Sequence, residues 1–108
     1  MKFTRKLTLE APGRVADGAG GFGGGWTVLG THWGAVSAIR GRLERGEEAG
    51  RSRAGYRIII RAVPPGSASR PEAGQRFKDG NRVFLIRSVW DDADLRHLIC
   101  LVDEEVAP

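Results

Sequence analysis

Three isoleucines in succession, Ile58, Ile59 and Ile60, stand between Arg57 and Arg61 and are cut off by Pro64-Pro65-Gly66. β-Branched side chains are stiff at χ1 and pack well on a pleated surface, and the run is too short for a helix of its own. Residues 56–63 therefore read as a strand that ends abruptly. The same pattern, a short apolar run closed by turn residues, recurs along the chain, and no segment carries a convincing amphipathic helical period. Residues 3–10 place Phe3, Leu7 and Leu9 on one face, interrupted by Arg5. Residues 26–39 hold Trp26, Val28, Trp33, Val36 and Ile39, and Gly30 and Gly34 within them predict a bend or bulge. The clearest hairpin signal is a short run ending in Phe77-Lys78, the turn Asp79-Gly80-Asn81 and the run 82–90. Asp91-Asp92-Ala93-Asp94 makes the next turn, and residues 95–102 form a last strand. Short strands at this spacing predict an all-β barrel or sandwich.

Strict alternation in residues 82–90 sets Val83, Leu85 and Val89 on one face and Phe84, Ile86 and Trp90 on the other, so both faces are apolar. A lone barrel buries only one of them. A neighbouring subunit is the favoured cover for the second, with a loop or short helix as the alternative.

Two segments contribute little to a core. Residues 11–25 include Pro12, Gly13 and six glycines between positions 18 and 25, and read as a long loop. Gly18-Ala19-Gly20-Gly21-Phe22-Gly23 matches G-x-G-x-x-G in form only, because a β-rich run follows it instead of a helix whose N-terminus would take a pyrophosphate. Residues 40–55 are nearly free of large apolar side chains but carry Arg40, Arg42, Arg45, Arg51 and Arg53. Fourteen of the seventeen basic residues are arginine, the side chain that pairs bidentately with phosphate and carboxylate. Contact with nucleic-acid backbone and a solvated loop, in which Glu44, Glu47 and Glu48 offset the charge, are both compatible with this segment.

The net charge of +4 is unevenly spread. Residues 1–90 hold sixteen basic and seven acidic residues, whereas residues 91–108 hold Arg96 against Asp91, Asp92, Asp94, Asp103, Glu104 and Glu105. Such polarity fits an acidic or nucleic-acid partner on one side and a basic neighbour on the other. At 108 residues the chain has the size of one domain, residues 1–108. Cys100 is the single cysteine, which excludes an internal disulfide and a cysteine-based zinc cluster and fits a reducing cytoplasm. His97 and Cys100 lie three apart and so face opposite ways on a strand, and Asp91, Asp92 and Asp94 lack the glycine and glutamate of a calcium loop. No nucleophile–base spacing stands out. The expectation is a soluble protein with no enzymatic activity, no cofactor, no metal and no membrane association.

The order of these features resembles the SPP1-type phage head-tail adaptor or stopper proteins, the head-completion or head-tail joining proteins that also occur in gene transfer agents. The resemblance runs through Leu7-Thr8-Leu9, the glycine-rich stretch ending at Trp26, Trp33-Gly34-Ala35-Val36, Arg57-Ile58-Ile59-Ile60-Arg61, the segment from Gly74 to Phe77, Gly80-Asn81-Arg82-Val83-Phe84-Leu85-Ile86-Arg87-Ser88-Val89 and the late segment from Leu98 to Glu104. At Gly34 the family often carries a side chain. The resemblance implies a small single-domain β-barrel of about six strands with a long loop between the second and third strands. It implies a homo-oligomeric ring of six or twelve copies, placed between portal or adaptor proteins on the head side and tail terminator or tail tube proteins on the tail side. In such proteins the long loop projects into the channel and helps retain packaged double-stranded DNA without reading its sequence. By position this assigns Arg40, Arg42, Arg45, Arg51 and Arg53 to the channel loop. Trp26, Trp33, Trp90, Asp103, Glu104 and Glu105 are expected at contacts with subunits or neighbours. The expected location is the head-tail junction of a particle assembled in the bacterial cytoplasm. The alternative is a free-standing nucleic-acid-binding barrel of the OB or SH3-like type, which requires base-stacking aromatics gathered on one exposed face.

Overall fold

In the computed structural model, which describes residues 2–13, 25–39 and 54–105, the chain is all-β. Its strands are β1 (Arg5–Pro12), β2 (Trp26–Ala38), β3 (Ala54–Arg61), β4 (Arg76–Asp79), β5 (Arg82–Asp91) and β6 (His97–Glu105). They close into an antiparallel barrel in the order β1-β2-β3-β6-β5-β4, which leaves no unpaired sheet edge. The long connection between β2 and β3 is the one the sequence predicts. Residues 40–53, with all five of its arginines, lie outside the described residues, as does most of the glycine-rich stretch.

Alternation builds the core. Leu7 and Leu9 of β1, Ile58 and Ile60 of β3, Phe77 of β4, Phe84 and Ile86 of β5, and Leu98, Cys100 and Val102 of β6 all point inward and are buried. At about 25 cal/mol per Å² of apolar surface, this cluster supplies most of the driving force for closure. The β4–β5 hairpin turns through Gly80 and Asn81, and Gly80 takes a φ of 64° that glycine adopts without a Cβ clash.

Two bulges reset the alternation. In β2 the register passes from Leu9↔Gly30 to Glu10↔Val28, so Leu29 is the extra residue, beside one of the two predicted glycines. In β5 it passes from Ile86↔Val102 to Ser88↔Leu101, with Arg87 extra. This second bulge corrects the expected faces. Val89 lies opposite the buried Cys100 and packs against the core, whereas Trp90 lies opposite Ile99 on the outer surface. Without the bulge, Ser88 would follow Phe84 and Ile86 into the core with no partner for its hydroxyl, and the extra residue avoids that cost.

The boundaries also shift. β1 continues through Ala11 and Pro12, which pair with Thr27 and Trp26, and Gly13 donates to the Gly25 carbonyl at 2.7 Å, so the glycine-rich loop starts two residues later than predicted. β3 stops at Arg61, two residues early. β6 starts at His97 and runs to Glu105, which places Asp103 and Glu104 inside the strand, past its predicted end at Val102.

Candidate interaction surface

Described side chains lie over both ends of the barrel. At one end Arg82 donates from Nε and Nη2 to the Glu104 carboxylate at 2.9 and 3.1 Å, and its guanidinium lies over the Phe84 ring at 4.9 Å. Tyr56 meets Phe84 edge-on at 5.4 Å. The Arg82 hydrogen bond holds the Glu104 carboxyl below the usual carboxylate range, and Glu104 in turn raises Arg82. Arg5, the residue that interrupts the apolar face of the first strand, is ion-paired with Asp79. At the other end the β3–β4 connection packs down on the barrel. Pro71 is fully buried, His32 Nε2 donates to the Ser69 carbonyl at 2.8 Å, and the Ser69 Cβ lies only 3.1 Å from where a side chain on Gly30 would begin. Cys100 sits within the core, where burial pushes its thiol up to about 12 and makes it unreactive.

The outer surface is different. Register places Ala35 of β2, Ile59 of β3, Ile99 of β6 and Trp90 of β5 side by side in one row across four adjacent strands. Ile59 and Ile99 are half-buried by their neighbours, Trp90 is 44% exposed, and Trp33, two residues along β2 from Ala35, is 54% exposed. Leu101 extends the band along β6. Its rim is basic: Arg57 and Arg61 flank Ile59 on the same face of β3, and Lys6 pairs with Trp33 across β1 and β2. All three are exposed.

The expected contact residues thus fall into separate places. Trp33 and Trp90 belong to the outer band. Trp26 does not; its half-buried ring lies under the Arg76 guanidinium at 4.0 Å, and Arg76 donates to the Glu10 carboxylate at 2.7 Å. Asp103 is bonded to Arg87 at 2.5 Å and Glu104 to Arg82, while Glu105 at the strand end is exposed. Sequence reasoning missed Ile59, Ile99, Arg57 and Arg61 as surface-forming residues. The signal for them was the strict alternation around the buried Ile58, Ile60, Leu98 and Cys100. In the β5–β6 turn the carboxylates of Asp92 and Asp94 and the His97 ring lie within 4.8 Å of one another. Hydrogen bonds within the turn account for this grouping: the Arg96 N–H, and secondly His97, hold Asp94 below the usual carboxylate range.

A closed barrel with an apolar outer band is the build of a component that packs against other proteins. Residues 1–106 match the family of phage head completion proteins. The chain belongs to that family. Among solved structures, it is similar to a chain in the virion of a native gene transfer agent particle, with 38% identity over 99% of both chains and a TM-score of 0.79. A solution structure of a protein from Shigella flexneri 2a, 20% identical over 99% of this chain and 96% of that one, shares the fold at a TM-score of 0.72. No curated protein matches the chain. Membership of the head completion family implies a structural, phage head-associated role in place of catalysis.

Proposed function

We propose that this protein is a subunit of the head-tail connector of a tailed phage or a gene transfer agent particle, a ring-forming stopper or adaptor that joins the DNA-filled head to the tail. The observation that carries the reading is the match to a head completion family along nearly the whole chain, together with 38% identity to a chain of a gene transfer agent virion. The outer band supports it physically. Apolar surface of this extent, spread across four strands, is stabilised by burial against protein, and copies arranged around a channel would bury it repeatedly. Portal or adaptor proteins and tail proteins are the partners on either side. The free-standing nucleic-acid-binding alternative draws less support, because Trp26 is covered by Arg76 and Trp33 and Trp90 share their face with isoleucines instead of forming a stacking platform.

Within this reading the arginines at 40, 42, 45, 51 and 53 face packaged DNA and retain it through phosphate contacts without sequence preference. Cryo-electron microscopy of purified particles tests the placement: density for this chain is expected as a ring between head and tail, and its absence from particles overturns the assignment. Deletion of residues 46–53 tests retention separately. The barrel is expected to fold as before while tailless heads lose DNA, and full retention counts against a gating role.

A further inference from the structure

Leu95 is the one non-glycine among the described residues with a positive φ, 59°. That conformation crowds the Cβ of an L residue, and glycine or asparagine is its ordinary occupant. The leucyl side chain is also 72% exposed, more than any other large apolar side chain described. The turn is held by Leu95 N–H to the Asp92 carbonyl at 2.8 Å, Ala93 N–H to Asp92 Oδ1 at 2.7 Å, Arg96 N–H to Asp94 Oδ1 at 2.7 Å and the His97–Asp94 pair at 3.0 Å, none of which uses that side chain. A hydrogen-bonded turn thus fixes an apolar knob at its tip, with two aspartates, Asp92 and Asp94, and the exposed Arg96 beside it, and strained residues of this kind cluster at functional sites.

The outer band has the complementary chemistry: Ile59 and Trp33 at an apolar centre, and Arg57 and Arg61 on the rim, exposed and without ion-pair partners among the described residues. We propose that the Leu95 turn of one subunit seats on the Trp33–Ile59 part of the band of the next subunit, with Asp92 and Asp94 facing Arg57 and Arg61. This rests on the ring reading above and assigns its two contacting surfaces. Pairing band against band would bring like-charged rims together, whereas turn against band brings opposite charges together. The two surfaces are different, the turn lying beyond the ends of β5 and β6 and the band running across the outer face of β2, β3 and β6 with Arg61 beside the turn, so the contact is heterologous and repeats from copy to copy.

A double variant, Leu95→Cys with Ala35→Cys, tests the contact in assembled particles under mild oxidation. Cys100 does not compete, being buried with its thiol pushed up to about 12. The expected result is a ladder of cross-linked multimers from the double variant and monomer from each single variant. A ring visible by cryo-electron microscopy with no ladder overturns this pairing and leaves the ring reading standing; particles that contain the protein without a ring overturn both. Should the double variant fail to incorporate, charge exchange decides. Asp92→Lys with Asp94→Lys, and Arg57→Glu with Arg61→Glu, are each expected to cut incorporation at least tenfold, and the four changes together to restore it. Wild-type incorporation by either pair, or no restoration, refutes the contact.

Discussion

The inner and outer faces of the same two strands make an instructive pair. On β3, Ile58 and Ile60 are wholly buried while Ile59 between them is half-buried; on β6, Leu98, Cys100 and Val102 are buried while Ile99 and Leu101 are only partly covered. The residue types are nearly the same, so composition does not distinguish the faces. What differs is closure. The barrel satisfies its inner face completely and leaves a second apolar layer on the outside that the described residues cover only in part. Two apolar faces on one strand fit the proposed assembly, in which the fold buries the inner layer and a neighbouring copy the outer one.

The comparison breaks most sharply under truncation. Phe84→Ala, on the inner face, is expected to cost about 3–5 kcal/mol because it removes a ring that Tyr56 and Arg82 both pack against and leaves a cavity. Ile99→Ala, on the outer face, is expected to cost the isolated chain under about 1 kcal/mol, as at a partly exposed position. It should nevertheless reduce incorporation into particles. Urea denaturation of both variants beside a particle incorporation assay checks the pair. Equal stability losses at the two sites would mean that the outer band is ordinary core.

Overpacking sharpens the same contrast. At Gly34 a Cβ would lie 3.0 Å from the Ile59 carbonyl oxygen, 3.0 Å from Leu7 Cδ1 and 3.1 Å from Ile60 Cγ2, with backbone among the obstacles. Gly34→Ala is expected to destabilise by about 1–3 kcal/mol, and Ala35→Val, one residue along on the outer face, by less than about 0.5 kcal/mol. Thermal melts of the two variants provide the measurement. A neutral Gly34→Ala would show that the strands here separate without cost.

Much of the inner face was legible in the sequence and much of the outer one was not. The isoleucine run, the Pro64-Pro65-Gly66 stop and the Gly80-Asn81 turn are local signals, and each corresponds to a strand or turn in the fold. Barrel closure depends on β1 meeting β4, and no local pattern encodes that pairing; it came from the family resemblance. The bulge at Arg87 exchanged the faces of Val89 and Trp90, because a single extra residue inverts every side chain after it. The charge asymmetry was real in sequence but is partly cancelled in space. Glu10 with Arg76, Arg82 with Glu104 and Arg87 with Asp103 are pairs distant in sequence and adjacent in the barrel. The row that joins Ala35, Ile59, Ile99 and Trp90 depends on which strands lie side by side, and no residue pattern in the predicted 91–94 turn marks Leu95 as left-handed.

A smaller effect separates a buried-side carboxylate from the solvent. Glu104 is held below the ordinary carboxylate value of 4.5, first by its hydrogen bond from Arg82. A carboxylate depressed in the folded state contributes stability that is fully present above its unfolded value and is lost as pH falls through the folded one. The wild-type chain is therefore expected to lose stability as pH drops below about 4.5, and Glu104→Gln to show a flatter profile there. Because Arg82 is partly exposed, the contribution is about 1 kcal/mol or less and shrinks in high salt. Denaturation midpoints measured from pH 6 to pH 3 at two salt concentrations check the sign; identical slopes for the two chains would remove Glu104 from the account.

The smallest expected change is the most discriminating, because its two readouts move in opposite directions. Leu95→Gly removes the crowding of a left-handed leucine at φ 59°, a gain of about 1–2 kcal/mol, and restores backbone freedom to the unfolded chain, a loss of about 0.5–1 kcal/mol. The net gain, about 0–1.5 kcal/mol, should raise the melting point of the isolated protein by up to several degrees, at roughly 4–8 °C per kcal/mol for a domain of this size. Incorporation into particles should fall, since the exposed apolar tip is gone while none of the hydrogen bonds that shape the turn uses the leucyl side chain. A tip that merely packs within its own chain would lower both readouts together, and a tip with no role would raise the first and leave the second unchanged. Only a residue held under strain for the sake of a contact outside its own barrel gives a more stable chain that assembles less well.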